Sequence, residues 1–198
     1  MKQKQHKILG EVLAQVMREG WTMRAIERAG AAKTFPQVED AVAAFEAMID
    51  EDVQAKVKAK RNFSAMRVRD KVAFAVRARL EAMEPYRDAA RRLAVWFLMP
   101  RHIVDGAKHL WKTADAIWLA AGDESTDYNY YTKRALLIAV MKAAFAFWLA
   151  DESKGRQESW DFLDRRIEDV MRVGKGMSVI KTVGIEDIVS FVKTRLAA

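Results

Sequence analysis

The chain has 198 residues, which is enough for one domain with a substantial core or for a small domain fused to a larger one. With 51% hydrophobic and 31% charged residues it has the composition of a folded protein, and the absence of cysteine excludes disulfides and cysteine-ligated metals. The net charge of +7 favours anionic partners, a class that includes both nucleic acid and anionic lipid headgroups.

Every periodic segment predicts a helix, and the alternating pattern of strands is absent, so the expected fold class is all-α. The first helix is predicted from Gln5 to Arg18, and Gly20 ends it. Thr22 is expected to cap a second helix, which Gly30 ends. Two short helices joined by a glycine turn are typical of a helix-turn-helix.

The segment after the second helix is too short for a DNA-recognition helix. The phrases from Gly20 to Gly30 and from Phe35 to Val42 resemble the head of TetR-type regulators. Only residues 31–34 separate the two phrases, which corresponds to about 6 Å of helix. A recognition helix must lay several side chains along the major groove. We therefore predict a vestigial helix-turn-helix without sequence-specific DNA binding.

Four further helices are predicted over residues 40–60, from 64 to about 80, over 85–99 and over 100–121. The second of them is rich in arginine, which suits a surface near anionic headgroups: Arg67, Arg69, Arg77 and Arg79. Large apolar side chains also accumulate from here onwards, and from the residues alone they are more often plain core than the lining of a ligand cavity. They are Trp96, Phe97, Met99, Trp111, Trp118, Met141, Phe145 and Trp148.

His102, Asp105 and His109 share one predicted helix face and supply the residue types of a non-haem iron site. Seven residues of helix span about 10 Å, however, so the three side chains cannot all reach one ion. A solvated helix face is therefore the expected outcome. Because no phosphate loop, nucleophile elbow or placed acid–base pair accompanies them, we predict no metal, no cofactor and no enzymatic activity.

The stretch from residue 123 to residue 150 is expected to form the central helix. From Ala135 to Ala150 it is apolar except for Lys142, which predicts a helix buried on every side. It is too short to span a membrane, since a span needs about 20 apolar residues.

The beginning of the same stretch contains Tyr128, Tyr130 and Tyr131. Successive residues of a helix point about 100° apart, so the three rings cannot all face one core. They are either core tyrosines with solvated hydroxyls or an exposed aromatic anchor for a partner. Ser125 or Thr126 is expected to cap this helix, and a carboxylate at position 127 suits its N-terminus.

A last domain helix is predicted from Gln157 to Val173, with Gly174 and Gly176 ending it. The tail beyond carries one apolar stripe at helical spacing: Ile185, Ile188, Val189, Val192 and Leu196. Such an amphipathic helix either packs on the core or lies in a membrane interface.

The run from Gly122 to Arg134, GDESTDYNYYTKR, resembles the signature of the coenzyme Q nine family, the accessory lipid-binding proteins of ubiquinone biosynthesis. Flanking phrases, including LMPRHI from Leu98 and WDFLDRRI from Trp160, extend the likeness over about residues 70 to 175. The resemblance implies a TetR-regulator-like fold with three parts. These are a head over residues 1–60, a helical lipid-binding domain over 61–175 and a membrane-binding C-terminal helix over 176–198.

The resemblance further implies that an isoprenoid quinone precursor binds in an apolar cavity and is presented to the di-iron demethoxy-ubiquinone hydroxylase. The cavity would be lined by Trp96, Phe97, Met99, Trp111, Trp118, Met141 and Phe145. The docking patch for the hydroxylase maps onto Ile117, Asp127, Tyr130 and Tyr131. The chain has Tyr130 where the family often has tryptophan, and Ile117 where methionine occurs.

The alternative function is a TetR-type, ligand-gated transcriptional regulator that binds DNA. In either case we expect a homodimer formed through the last two long helices. The N-terminal residues show no targeting signal, so we expect a bacterial protein of the cytoplasm, peripheral on the inner membrane. If a presequence has been trimmed, the expected location is the matrix side of the mitochondrial membrane.

Overall fold

The computed structural model describes residues 2–126 and 128–182, with side chains for residues 5–126 and 128–172. Within these residues the secondary structure is entirely helical, which confirms the predicted all-α class. The helices are α1 (Lys2–Glu19), α2 (Met23–Arg28), α3 (Val38–Ala59), α4 (Val68–Met83), α5 (Arg87–Phe97), α6 (Ile103–Ala121), α7 (Tyr128–Ala150) and α8 (Gln157–Thr182). Single 3₁₀ turns, Glu84–Tyr86 and Lys154–Arg156, precede α5 and α8.

The head of the chain follows the sequence prediction closely. Gly20 adopts a left-handed conformation with φ of 84° and ends α1, while the Thr22 hydroxyl accepts a hydrogen bond from the Ala25 N–H at 3.2 Å. After α2, the N–H groups of Thr34 and Phe35 both donate to the Ala31 carbonyl, at 2.8 and 2.9 Å. One tight turn therefore stands where a DNA-recognition helix would be, and α3 begins soon after it.

The helices share one continuous hydrophobic core. In the head, α1 packs on α2, α3 and α5, and the Trp21 indole N–H donates to the Ala89 carbonyl of α5 at 3.0 Å. The central position belongs to α4, which contacts α3, α6, α7 and α8. Within the described residues, no helix is both long enough and apolar enough to cross a membrane.

Three predicted helix ends are wrong. α4 starts at Val68 rather than residue 64, and α6 starts at Ile103, because Pro100 lies in a turn before it. α8 continues through Gly174 and Gly176 to Thr182. A glycine in a helix interior costs only about 1 kcal/mol relative to alanine, so it weakens a helix without necessarily ending it.

The prediction that α7 is buried on every side is also wrong. The helix packs on α4, α6 and α8, and these neighbours leave one stripe of its surface uncovered. The exposed residues of that stripe are small or charged: Ala135, Ala139, Lys142, Ala146 and Ala150.

Arg79, predicted to lie on a basic surface, is buried instead. Its guanidinium forms ion pairs with Glu46 and Asp50 of α3. The surface of α4 is therefore less basic than the sequence suggests, since Arg67 and Arg69 are paired as well, with Asp70.

Candidate functional site

The junction between α6 and α7 carries an exposed aromatic patch. Tyr128 and Tyr131 are 64% and 61% exposed, and Leu119, near the end of α6, is 60% exposed. Tyr131 packs edge-on against Tyr130 with ring centroids 5.1 Å apart, and it lies 6.0 Å from the ring of Trp111. We call these five residues the tyrosine patch. The prediction that at least one tyrosine ring lies at the surface is confirmed for two of the three.

Tyr130 holds the patch to the protein. Its hydroxyl donates to the Asp115 carboxylate at 3.0 Å, and its ring lies 3.5 Å from the guanidinium carbon of Arg134. Arg134 in turn donates from Nε to Asp115 at 2.7 Å and from Nη1 to the Tyr130 carbonyl at 3.1 Å. Tyr130 is therefore fixed by contacts on its ring, its hydroxyl and its backbone.

Beneath the patch, Asp123 completes a buried ionic network. Its carboxylate accepts hydrogen bonds from Arg134 Nη1 at 2.9 Å, from Lys133 Nζ at 2.5 Å and from the Ser125 hydroxyl at 2.8 Å. The side chains of Arg134 and Asp123 are only 1% and 3% exposed. Burial opposes ionisation of Asp123, but the bonds from Lys133, Arg134 and Ser125 outweigh it and lower the pKa of the carboxyl to about 2.

Local backbone geometry brings Asp123 to this position. Gly122 ends α6 in the left-handed conformation, with φ of 89°, which an L-residue with a Cβ rarely adopts. The turn lets the Asp123 N–H donate to the Trp118 carbonyl at 2.9 Å. The Trp118 indole then donates to the Lys133 carbonyl at 3.0 Å and ties α6 to α7. The junction is therefore a preorganised support for the exposed rings.

The predicted docking residues fall into different environments. Tyr130 and Tyr131 lie together in the patch, whereas Ile117 is buried in the core and, contrary to expectation, adds no exposed surface. Asp127 lies outside the described residues, as do the five apolar residues of the predicted tail helix. Leu119 is a patch residue that was not predicted from the sequence. The sequence does contain a signal for it, because Leu119 is an apolar residue two positions after Ile117, near the end of the same helix.

The residues predicted to bind lipid do not all line one cavity. Trp96, Trp118 and Met141 are buried, Phe97, Trp111 and Phe145 are half-buried, and Met99 is exposed. Trp111 joins the tyrosine patch, and Phe145 packs on Trp148 with ring centroids 5.7 Å apart. Of this set, only Trp96 and Phe97 reach the cleft described next.

A cleft of about 570 Å³ lies between α3 and the helices α5 and α6. Besides Trp96 and Phe97, its lining is strongly acidic: Glu39, Glu46, Asp50, Glu51 and Asp105. Glu46 pairs at its base with Arg79 and, at 2.7 Å, with His109. Burial opposes ionisation of Glu46, but the charge of Arg79 and the hydrogen bond from His109 outweigh it and lower the pKa of this carboxyl. A wall of this polarity does not match the apolar cavity that a lipid tail needs.

The histidines weighed as metal ligands are separated in the structure. The ring of His102 stacks on Trp96 with centroids 3.5 Å apart, whereas His109 pairs with Glu46 and stacks on Phe97. Among the described residues, no group of three or more histidine, aspartate or glutamate side chains is arranged to hold a metal ion.

Comparison with known proteins places the patch within a family region. Residues 103–174 match the family model of COQ9. The probable ubiquinone biosynthesis protein coq9, mitochondrial, of Dictyostelium discoideum is 29% identical over 195 residues, covering 90% of this chain and 64% of that protein. The ubiquinone biosynthesis proteins COQ9 of Rattus norvegicus and Homo sapiens are 34% and 33% identical over 110 residues. Both matches cover 56% of this chain and 35% of the relative, so the chain spans less than two thirds of each of these three proteins.

The fold also has a solved counterpart. The crystal structure of the TetR transcriptional regulator from Nitrosomonas europaea superposes with a TM-score of 0.70, covering 85% of this chain and 98% of that one. The sequence identity is 14%, so this likeness concerns the fold. Together the comparisons confirm the resemblance to the coenzyme Q nine family: residues 103–174, which contain the tyrosine patch, match the COQ9 family model, and the chain has an all-α fold of the TetR-regulator type.

Proposed function

We propose that the chain acts in ubiquinone biosynthesis as an accessory protein rather than as an enzyme. It binds an isoprenoid precursor of ubiquinone at a membrane surface and presents that lipid to the demethoxy-ubiquinone hydroxylase. A role in ubiquinone biosynthesis is supported by the match of residues 103–174 to the COQ9 family model and by the names of the relatives, which are ubiquinone biosynthesis proteins.

The proposal that the chain binds the hydroxylase rests on the exposed tyrosine patch. Two tyrosine rings and a leucine, each about 60% exposed, stand on a junction held by buried ion pairs. Tyrosines on a rigid support make good interface anchors, because little conformational freedom is lost when they bind. Tyr131 would be the main anchor, with Tyr128 and Leu119 beside it.

The lipid would lie between α6 and α7, which pack on each other beneath the patch. Trp118 of α6 and Met141 and Phe145 of α7 would contact the lipid with large, polarisable apolar side chains. This position places the bound lipid next to the surface that meets the hydroxylase. The acidic cleft beside α3 is not used, since its carboxylates disfavour a hydrocarbon tail.

The membrane would be engaged through the apolar stripe of the tail and through the excess of basic residues. Because the curated relatives named above are mitochondrial, we propose the matrix side of the inner mitochondrial membrane, or the corresponding cytoplasmic surface of a bacterium. The exposed small-residue stripe of α7 would pack against a second copy, giving a homodimer through α7 and α8.

The partner proposal is tested by pull-down of the hydroxylase with Tyr131→Ala. An aromatic anchor contributes about 2 kcal/mol or more to an interface, so binding should fall about thirtyfold. Because the ring is largely exposed, the melting temperature should change little. Val68→Ala, which truncates another exposed apolar residue, is the control and should bind normally. If Tyr131→Ala also binds normally, the patch is not the docking site.

The rival function, a DNA-binding regulator, is disfavoured by the tight turn at Ala31 that replaces the recognition helix. A gel shift with genomic fragments at two salt concentrations tests it. Binding through phosphate contacts alone should disappear at the higher concentration. A complex that persists on particular fragments would restore the regulator hypothesis.

A further inference from the structure

The corner between α5 and α6 exposes an unusual amount of apolar surface. Five of the nine large hydrophobic residues that are exposed in the described chain lie within ten residues of one another. They are Val95, Leu98, Met99, Ile103 and Val104, with exposures of 57%, 71%, 42%, 53% and 59%. Monomeric proteins rarely leave a contiguous apolar patch of this kind uncovered unless it binds something.

The corner is held rigidly from beneath. Trp96 and His102 stack with ring centroids 3.5 Å apart and an angle of 17° between their planes, so the two sides of the turn are clamped together. The His102 N–H donates to the Met99 carbonyl at 2.8 Å. Phe97 packs directly against Gly106, where a Cβ atom would lie 2.9 Å from the Phe97 Cβ. The apolar side chains therefore protrude from a preformed support, which reduces the entropy lost on binding.

One unpaired cation, Arg101, lies at this apolar tip: it is exposed and forms no ion pair with any residue that the structure describes. Two neighbouring cations are paired: Arg91 lies 3.2 Å from Asp88, and Lys108 lies 3.7 Å from Asp105. The Glu39 carboxylate lies 3.9 Å from the His102 ring on the inner side of the turn. A single unpaired cation of this kind is attracted to an anionic lipid surface by about 1 kcal/mol when it lies near that surface.

The shape of the corner favours a membrane over a protein partner. Its apolar side chains come from the end of α5, the turn and the start of α6, so they surround a protruding tip instead of lining a groove or a single helix face. An apolar tip that carries one unpaired arginine matches the boundary between headgroups and acyl chains, where apolar side chains enter and a cation remains at the phosphates.

We propose that the α5–α6 corner is a membrane-insertion element that enters the interface of an anionic bilayer. Leu98, Met99 and Ile103 pass below the headgroups, and Arg101 binds lipid phosphates. This contact is separate from the tail helix and does not depend on the quinone precursor or on the hydroxylase.

The first experiment uses the absence of cysteine from the chain. Leu98→Cys in the full chain is labelled with the environment-sensitive fluorophore NBD and mixed with vesicles of phosphatidylethanolamine and phosphatidylglycerol. Val68→Cys is the matched control. It lies near the opposite end of α6, since Lys71 in the next turn donates to the Ala121 carbonyl at 3.4 Å, and α6 is about 28 Å long.

We expect a blue shift and a severalfold rise in emission at position 98 with anionic vesicles, little change with phosphatidylcholine alone, and no change at position 68. Vesicle binding without a change at position 98 would overturn the proposal and assign membrane contact to another part of the chain. Equal changes at both positions, or an absence of vesicle binding, would overturn it too. A concentration-dependent change without vesicles would instead identify a second copy of the chain as the occupant.

The second experiment measures affinity by vesicle flotation. The double variant Leu98→Ser, Ile103→Ser should partition onto anionic vesicles about tenfold more weakly or worse, because burying one such side chain fully is already worth about that factor. Val68→Ser should partition like the wild type. Equal partition of the double variant and the wild type, with both folded by circular dichroism, would refute insertion at this corner.

Discussion

The buried ion pair beneath the tyrosine patch should contribute strongly to the stability of the protein. Arg134→Met removes the guanidinium that joins Asp115, Asp123 and the Tyr130 carbonyl. Breaking a buried pair from one side costs about 3–5 kcal/mol, because the remaining charge loses its partner. Lys133 and Ser125 still bind Asp123, so we expect the lower end, about 3 kcal/mol.

Lys133→Met is the matched control, since this side chain binds the same carboxylate from a more exposed position. Solvent screens such a bond, and its loss should cost about 1 kcal/mol or less. Urea unfolding of both variants at pH 7 measures the two free energies. Equal losses, or a loss under about 1 kcal/mol for Arg134→Met, would refute the argument that the buried guanidinium organises the junction.

The same network predicts a dependence on pH. The folded pKa of Asp123 lies near 2, below its ordinary value of 3.8. The corresponding stabilisation, about 2 kcal/mol, is complete above pH 4 and is lost as the pH falls from 4 towards 2. The gap in stability between wild type and Asp123→Asn should therefore narrow by about that amount between pH 5 and pH 2. A gap that stays constant would show that Asp123 has an ordinary pKa.

Three further outcomes are expected. Gly106→Ala should lower the stability measured by thermal melting by about 1–3 kcal/mol, because the new methyl group meets Phe97. Gly10→Ala is the control, and it should be neutral or stabilising because the space around Gly10 is open. Similar effects at both sites would contradict this packing. Met141→Ala should lower the free energy of unfolding by less than about 2 kcal/mol and should reduce the amount of lipid retained in native mass spectrometry. A loss of about 2–5 kcal/mol with unchanged lipid would show that Met141 is a core residue and does not line a lipid cavity. Deletion of residues 184–198 should weaken binding to anionic vesicles with little change in melting temperature. A clear fall in melting temperature with unchanged vesicle binding would show instead that this segment packs on the core.

The sequence by itself determined those features of the fold that depend only on residues close together in the chain. The cap at Thr22 and the helix end at Gly20 depend on backbone groups within four residues, and both were predictable. The missing recognition helix followed from a count of residues between Gly30 and Phe35. The tyrosine spacing required that some rings lie at the surface, since helical geometry alone sets their directions.

Tertiary structure decided which surfaces are covered and which charges are paired. Only the packing of α4, α6 and α8 shows that α7 keeps an exposed stripe, since its apolar sequence is also compatible with full burial. Asp115, Asp123 and Arg134 lie on separate parts of the chain, and no periodicity indicates that they meet. The sequence predicts Arg79 to be one of four surface arginines, whereas in the folded protein it is buried and pairs with Glu46 of α3. The physical reason is range: a helix depends on contacts a few residues apart, whereas the partner of a buried charge depends on which helices pack together.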